Sequence, residues 1–336
     1  MTPKKGAHPP QIGVIFRSSV RDKPEPLEVR ATGNTGTQSK EGKLVLASKV
    51  RKVVFPVAGL GSRFLPATKS IPKEMLPVVD RPLIDYAVEE ARKAGIDHFV
   101  FVTGRGKGAI EDYFDHAFEL ETTLSERNKD AALKALSTTQ LNHGSASFVR
   151  QQQPLGLGHA VWCARDIIGD DPFAVILPDE LVLHERGCLA QMVDAWNTHG
   201  GNIVAVAEVP ADRVDQYGIV ATGTDDGNVA EVTGLVEKPK VGEAPSQLAM
   251  TGRYILAPDI FEKLRDGKRG AGGEIQLTDA MAAMIGSVPF HAARFEGTRF
   301  DCGDKAGFLA ANIAYALERD DIGPRLKDLV PSLKDA

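Results

Sequence analysis

Cysteine is scarce in this chain. Its 336 residues contain three, Cys163, Cys188 and Cys302, odd in number and far apart, which excludes a disulfide framework and leaves no CxxC knuckle for zinc. A reducing cytoplasm is the expected setting. Long apolar runs are missing too. No stretch approaches the roughly 20 residues that span a bilayer, and residues 1–10 lack the apolar centre of a signal peptide, so neither a membrane anchor nor export is expected. Nor is there an excess of positive charge. Forty Lys and Arg against 45 Asp and Glu leave a net charge of −5, which argues against bulk affinity for nucleic acid or an anionic membrane. What is present is ordinary for a globular protein: 43% hydrophobic and 25% charged residues exclude collagen, a coiled coil and wholesale disorder. At about 150 residues per domain the length fits two domains, or one large α/β unit with insertions.

Residues 1–48 are rich in Lys, Pro, Gly, Thr and Ser. Their short apolar runs find no partner of matching period, so this segment reads as a mobile N-terminal tail. The texture changes at Val53. Val53-Val54-Phe55-Pro56-Val57 is a buried-strand run, followed by the turn-rich Ala58-Gly59-Leu60-Gly61-Ser62-Arg63. Pro82 then opens a helix with Leu83, Ile84, Ala87, Val88 and Ala91 on one face and Asp85, Glu89, Glu90, Arg92 and Lys93 on the other, stopped by Gly95. Strands are predicted at 98–103, 147–151, 173–177 and 203–209, alternating with helices at 108–118, 158–168 and 189–196. That alternation predicts an α/β fold built on a doubly wound, mostly parallel, Rossmann-like sheet. Between about 218 and 254 short strands with Gly/Asp turns predict a smaller antiparallel sheet appended at one edge, making the whole mixed. C-terminal helices are predicted at 258–264, 276–285 and 305–319, the last with Phe308, Leu309, Ile313, Ala316 and Leu317 on one stripe.

Several of these segments carry residues suited to chemistry. The glycines of the 58–63 loop let backbone N–H groups approach a phosphate or a base with no Cβ in the way, although a plain tight turn explains the glycines equally well. A dinucleotide fingerprint fails because Phe64 replaces the third glycine and Pro66 interrupts the helix that should follow; no Gly-Lys-Ser/Thr makes it a Walker loop. The continuation carries Arg63, Lys69 and Lys73 on a path stiffened by Pro66, Pro72 and Pro77. Pinned cations beside open N–H groups suit a polyanion. Asp179 ends the strand at 173–177, on the edge where open α/β sheets bind ligands, and a hard carboxylate suits Mg²⁺ bridging phosphate oxygens; capping a turn is the plainer alternative. Asp301 has a similar place after Phe300. Glu237-Lys238-Pro239 ends another apparent strand, where a carboxylate can accept from sugar hydroxyls while the ammonium meets a phosphate. Gln151 offers the donor and acceptor that uracil needs, but Gln152 and Gln153 carry the same amide. His159 reads as a packing or capping residue at a helix start, because the histidines show no metal or triad spacing.

The stretches 57–78, Gly156-Leu157-Gly158-His159-Ala160, Val175-Ile176-Leu177-Pro178-Asp179, Tyr217-Gly218-Ile219-Val220, Val236-Glu237-Lys238-Pro239, Glu274-Ile275-Gln276-Leu277-Thr278-Asp279 and Asp301-Cys302-Gly303 together resemble the bacterial UTP:glucose-1-phosphate uridylyltransferases, or UDP-glucose pyrophosphorylases, of the sugar nucleotidyltransferase superfamily. Departures are small: Ser62 stands where Thr is frequent, and Glu180 follows the metal aspartate.

The resemblance implies transfer of a uridylyl group from UTP to α-D-glucose 1-phosphate, giving UDP-glucose and pyrophosphate by a Mg²⁺-dependent in-line displacement without a covalent intermediate. It assigns catalysis to Arg63, Lys73, Asp179 and Lys238, and metal binding to Asp179 and Asp301. Nucleotide contacts fall to Ala58, Gly59, Leu60, Gly61, Glu74, Gln151 and Gly156. The sugar phosphate falls to Gly218, Glu237, Lys238 and Arg253. A nucleotidyltransferase domain is expected at 49–320, its nucleotide part at about 49–210 and its sugar-phosphate part at about 211–300, followed by a C-terminal tail at 321–336. A homo-oligomer, dimer or tetramer, is implied, with no nucleic-acid or membrane partner.

Overall fold

A computed structural model describes residues 49–329; the N-terminal segment read as a tail lies outside the described residues, as do residues 330–336. Strand Lys52–Pro56 is apolar at successive positions because both of its faces are covered: Val53 and Phe55 enter one core cluster and Val54 the other. It pairs in parallel with His98–Thr103 on one side and Phe173–Ile176 on the other, and His98–Thr103 pairs in parallel with Ala146–Arg150. The chain thus leaves Lys52–Pro56 toward one edge and returns to its opposite side. That reversal opens a crevice beyond the carboxyl ends of these strands.

The sheet continues past Phe173–Ile176 through Leu248–Leu256, Asn202–Glu208, Phe290–Arg294 and Val229–Glu237 to Gly218–Asp225, nine strands in all. This corrects two expectations. The strands between 218 and 254 form no separate sheet, since Leu248–Leu256 lies inside the main one and the other two extend its edge. The sheet is also less parallel than expected, for beyond the first four strands only Asn202–Glu208 and Phe290–Arg294 pair in parallel. The physical reason is burial: Leu248–Leu256 is buried along all its length, and a central position covers both faces, which an appended edge sheet could not.

Helices cover both faces. Ile84, Ala87, Val88 and Ala91 of helix Leu83–Lys93 share one cluster with Ile110, Phe114, Leu189 and Met192; Ala160, Val161, Ile260, Leu264, Leu277 and Met281 fill the other. The polar face expected of Leu83–Lys93 is partly buried as well. Asp85 pairs with Arg81, and Glu90 with Arg253. The helix expected over 108–118 stops at Phe114, and two further helices, Phe118–Glu126 and Asp130–Thr139, follow it unanticipated. Helix Lys305–Leu317 turns Ala311 and Ala316 inward, with Phe308 edge-on to Phe64 at 5.5 Å, and leaves Leu309 and Ile313 exposed, so the expected stripe is split. The segment read as a C-terminal tail contains a helix, Gly323–Leu329. No helix among the described residues is long and apolar enough to cross a membrane.

Candidate active site

Three consecutive parallel strands deliver the same kind of loop to the crevice. Ala58–Gly61 follows Lys52–Pro56, Gly104–Lys107 follows His98–Thr103, and Gln151 ends Ala146–Arg150. The first two loops touch: a Cβ on Gly104 would meet the Ala58 carbonyl oxygen at 3.2 Å. Gly61 adopts the left-handed conformation at φ 68°, which launches the 3-10 turn Ser62–Phe64. A cavity of about 370 Å³ opens here, lined by Ala58, Gly59, Leu60, Lys69, Lys107 and Gln151, among others. It has the size of a small-ligand site.

Lys73 runs beneath the glycine loop. A Cβ on Gly59 would lie 3.8 Å from its Cε and one on Gly61 3.1 Å from its Cβ, and Lys73 Nζ ends 2.5 Å from Asp179 Oδ2. Burial opposes both charges, but the partner's charge prevails, so the Lys73 ammonium is held above its ordinary pKa and the Asp179 carboxyl below its own. Both are charged at neutral pH. Around Gly303 three groups converge: Asp301 Oδ1, Arg63 Nη1 and Asp179 Oδ2 lie 3.0, 3.2 and 3.2 Å from where a Cβ would stand. Asp301 Oδ1 also accepts from the Gly303 amide at 2.9 Å, and Arg63 donates to the Gly303 carbonyl at 3.3 Å. Two carboxylate oxygens facing one position are hard donors of the kind a divalent cation takes. Among the described residues there is no group of three or more His, Cys, Asp or Glu able to enclose a metal.

Glu237 and Lys238 stand at the end of Val229–Glu237, opposite Gly218 in the neighbouring strand. Thr278 donates to Glu237 Oε2 at 2.7 Å, while Lys238, at φ 47° and half exposed, holds its ammonium 3.7 Å from Glu237 Oε1. A Cβ on Gly218 would come 3.2 Å from Glu237 Oε2. It would also overlap Met250 Cε, so the missing side chain at Gly218 is what lets Met250 pack beside this carboxylate.

Two expected site residues are buried in ion pairs. Arg253 is fully buried: it grips Glu90 with Nη2 at 2.8 Å and Nε at 3.2 Å and donates to the Leu177 carbonyl at 3.1 Å. It holds the sheet to helix Leu83–Lys93 and cannot meet a sugar phosphate. Glu74 is 1% exposed: Oε2 pairs with Lys107 Nζ at 2.7 Å, buried Oε1 has no partner among the described residues, and burial pushes the carboxyl above the ordinary pKa against the pull of Lys107 and Lys73. Sequence reasoning missed Lys107, although Gly104-Arg105-Gly106-Lys107 after a strand repeats the logic of the first loop. It also missed that Glu180 binds Arg299 through both carboxylate oxygens, at 2.6 and 2.7 Å. Gln151 is tied by its amide nitrogen to the Gly156 carbonyl and to His159, each at 3.0 Å.

The family profile described as "Nucleotidyl transferase" matches residues 52–318. The chain is 55% identical over 256 residues, 76% of its length and 90% of the relative's, to the UTP--glucose-1-phosphate uridylyltransferase of Komagataeibacter xylinus. Among solved structures it resembles a UTP-bound UGPase from Acinetobacter baumannii, with a TM-score of 0.79 and 46% identity over 84% of this chain and 99% of that one. It also resembles a UDP-glucose pyrophosphorylase complexed with UDP-glucose, with a TM-score of 0.73 and 44% identity over 80% of this chain and 100% of that one.

Proposed function

The chain belongs to the nucleotidyl transferase family, and from that membership we infer that it catalyses uridylyl transfer from UTP to glucose 1-phosphate, releasing pyrophosphate and leaving UDP-glucose. The observation that carries this reading is the 55% identity to a uridylyltransferase over 90% of that relative's length. The nucleotide part is about 49–210 and the sugar-phosphate part about 211–300. In favour of that division, the 370 Å³ cavity with Gln151 lies in the first and the Glu237–Thr278–Gly218 cluster in the second.

The attacking group is the phosphate oxygen of glucose 1-phosphate, aimed in line at the α-phosphorus of UTP. A phosphate monoester has its second pKa near about 6 and is already anionic at neutral pH, so no general base is needed. The barrier is mutual repulsion and misalignment, and positioning of this kind can contribute about 7–11 kcal/mol. Arg63 and Lys73 draw charge from the triphosphate, Lys238 steers the incoming phosphate, and Glu237 accepts from sugar hydroxyls. Backbone groups of Ala58, Gly59, Gly61 and Gly156 approach the nucleotide. Asp179 and Asp301 are the residues that would hold Mg²⁺, which when bound supplies neutralisation of the phosphate oxygens. With the pyrophosphate gone, the product leaves without any covalent enzyme intermediate.

Purified protein with Mg²⁺, glucose 1-phosphate or galactose 1-phosphate, and UTP, dTTP, CTP, ATP or GTP tests this through pyrophosphate release. Turnover is expected to be fastest with UTP and glucose 1-phosphate and to vanish with EDTA. Faster release with dTTP would make the chain a thymidylyltransferase instead. A separate expectation concerns Thr278: without its hydroxyl, Glu237 is free to turn from the sugar. Thr278→Val should raise KM for glucose 1-phosphate about tenfold with kcat little changed, the loss of one hydrogen bond to a charged group. Steady-state kinetics in that one substrate check it, and an unchanged KM would remove Glu237 from the sugar pocket.

A cytoplasmic setting is supported by three free thiols at Cys163, Cys188 and Cys302. Homo-oligomerisation, dimer or tetramer, is supported by Leu309 and Ile313, 61% and 48% exposed and one turn apart on helix Lys305–Leu317.

A further inference from the structure

A glutamine amide is ambiguous as a reader of bases, because turned by half a rotation it offers a donor where it had offered an acceptor. In this protein its orientation is decided by its surroundings. The Gly156 carbonyl oxygen can only accept, so the Gln151 side-chain atom 3.0 Å from it is the amide nitrogen. The same nitrogen lies 3.0 Å from His159 Nδ1. Both amide hydrogens are then committed, Nδ1 must accept, and the ring proton sits on Nε2. Burial lowers the His159 pKa below its ordinary value, which favours this neutral form.

The ring itself is held in place. It stacks on Trp162 with centroids 6.0 Å apart. Its helix, Leu157–Cys163, is tied down at its start: the Gly158 amide donates to the Ile275 carbonyl at 2.8 Å, and a Cβ there would stand 2.8 Å from Leu264 Cδ2. Gln151 lines the cavity, and its Oε1, the side-chain atom left after the nitrogen is committed, accepts from no group among the described residues and is not fully buried.

We infer that His159, through Nδ1, locks the Gln151 amide so that only an acceptor faces the base, and that this lock selects uracil, whose N3 carries a hydrogen, over cytosine, whose N3 is a bare lone pair. This rests on the reading of Gln151 as the residue that meets the base. A flipped amide would suit cytosine, but it would set Oε1 against both the Gly156 oxygen and Nδ1. His159 is thus a positioning residue, and the donor-plus-acceptor role expected of Gln151 is reduced to an acceptor by two neighbours.

The test compares kcat/KM for UTP and CTP in wild-type protein, His159→Leu and His159→Asn. Leucine fills the space without accepting, whereas the asparagine oxygen falls near the position of Nδ1. The UTP:CTP ratio is expected to fall about tenfold in His159→Leu, the worth of one hydrogen bond, and to recover in His159→Asn. An unchanged ratio in His159→Leu, or equal losses with both nucleotides, would overturn the inference. Nitrogen NMR of histidine-labelled wild-type protein gives an answer even where a variant fails to fold: His159 should be protonated on Nε2, and a proton on Nδ1 would refute the lock. Failure of wild-type protein to use UTP at all would instead strike the functional reading, and the NMR result would stand apart from it.

Discussion

Lys73→Ala should lower kcat by about 10²–10³-fold, the usual loss when one preorganised charge facing a transition state is removed, while KM for glucose 1-phosphate moves little. The reason lies in its two attachments. Lys73 passes beneath Gly59 and Gly61 and ends on Asp179, so its charge lies between the nucleotide loop and the proposed metal ligand. In the proposed displacement negative charge grows on the departing pyrophosphate, and the ammonium acts on the transition state more than on either bound substrate. Lys73→Arg should not restore activity, since a planar fork cannot follow the path of a slim ammonium beneath the loop. The check is steady-state kinetics in both substrates. A kcat within a few-fold of wild type would leave Lys73 as a mere partner of Asp179. The pair itself is insensitive to pH near neutrality. The lowered Asp179 pKa gives stability that is lost only as pH falls through that lowered value, and the raised Lys73 pKa gives stability lost only as pH rises through the raised one.

The second large effect is on stability and not on catalysis. Arg253→Ala should cost about 3–5 kcal/mol, the range for removing one partner of a buried ion pair. At roughly 2–4 °C per kcal/mol for chains of a few hundred residues, Tm should drop by about 6–20 °C. The cause is Glu90. It keeps its bond from the Leu189 amide at 2.9 Å but loses both guanidinium contacts, and its charge is left uncompensated between sheet and helix. Replacing both residues, Arg253→Met with Glu90→Leu, should recover much of the loss, because no orphaned charge remains. A thermal melt measures this. Below the transition, KM for glucose 1-phosphate should stay within about twofold of wild type; a tenfold rise would return Arg253 to the sugar-phosphate pocket.

These two residues mark the boundary of what could be read in advance. Asp179 and Gln151 follow parallel strands whose apolar runs were visible, and the parallel βα rule sends such ends to one edge; Lys73 was legible from the proline-stiffened path behind the glycine loop, and Glu237 from the end of its own strand. Arg253 was misread because it lies within a strand, Leu248–Leu256, whose central place depends on pairings with residues 70 or more positions earlier in the chain. The ion pair of Glu74 was not legible because its partner Lys107 arrives from a different loop. Thr278 and His159 lie inside stretches noted for their resemblance, yet nothing local says that one would donate to Glu237 or that the other would accept from Gln151.

Periodicity and turn chemistry were sufficient for the alternation of strands and helices, for the glycine loop with its trailing cations, and for a carboxylate at the mouth of the sheet, because each depends on neighbours a few residues away. Which charges face the crevice and which are consumed in the interior was left to the tertiary structure. An arginine in water and an arginine clamped on a buried glutamate have the same letter in the sequence. Only the approach of distant strands, with the desolvation that follows, separates a ligand contact from a bolt in the scaffold.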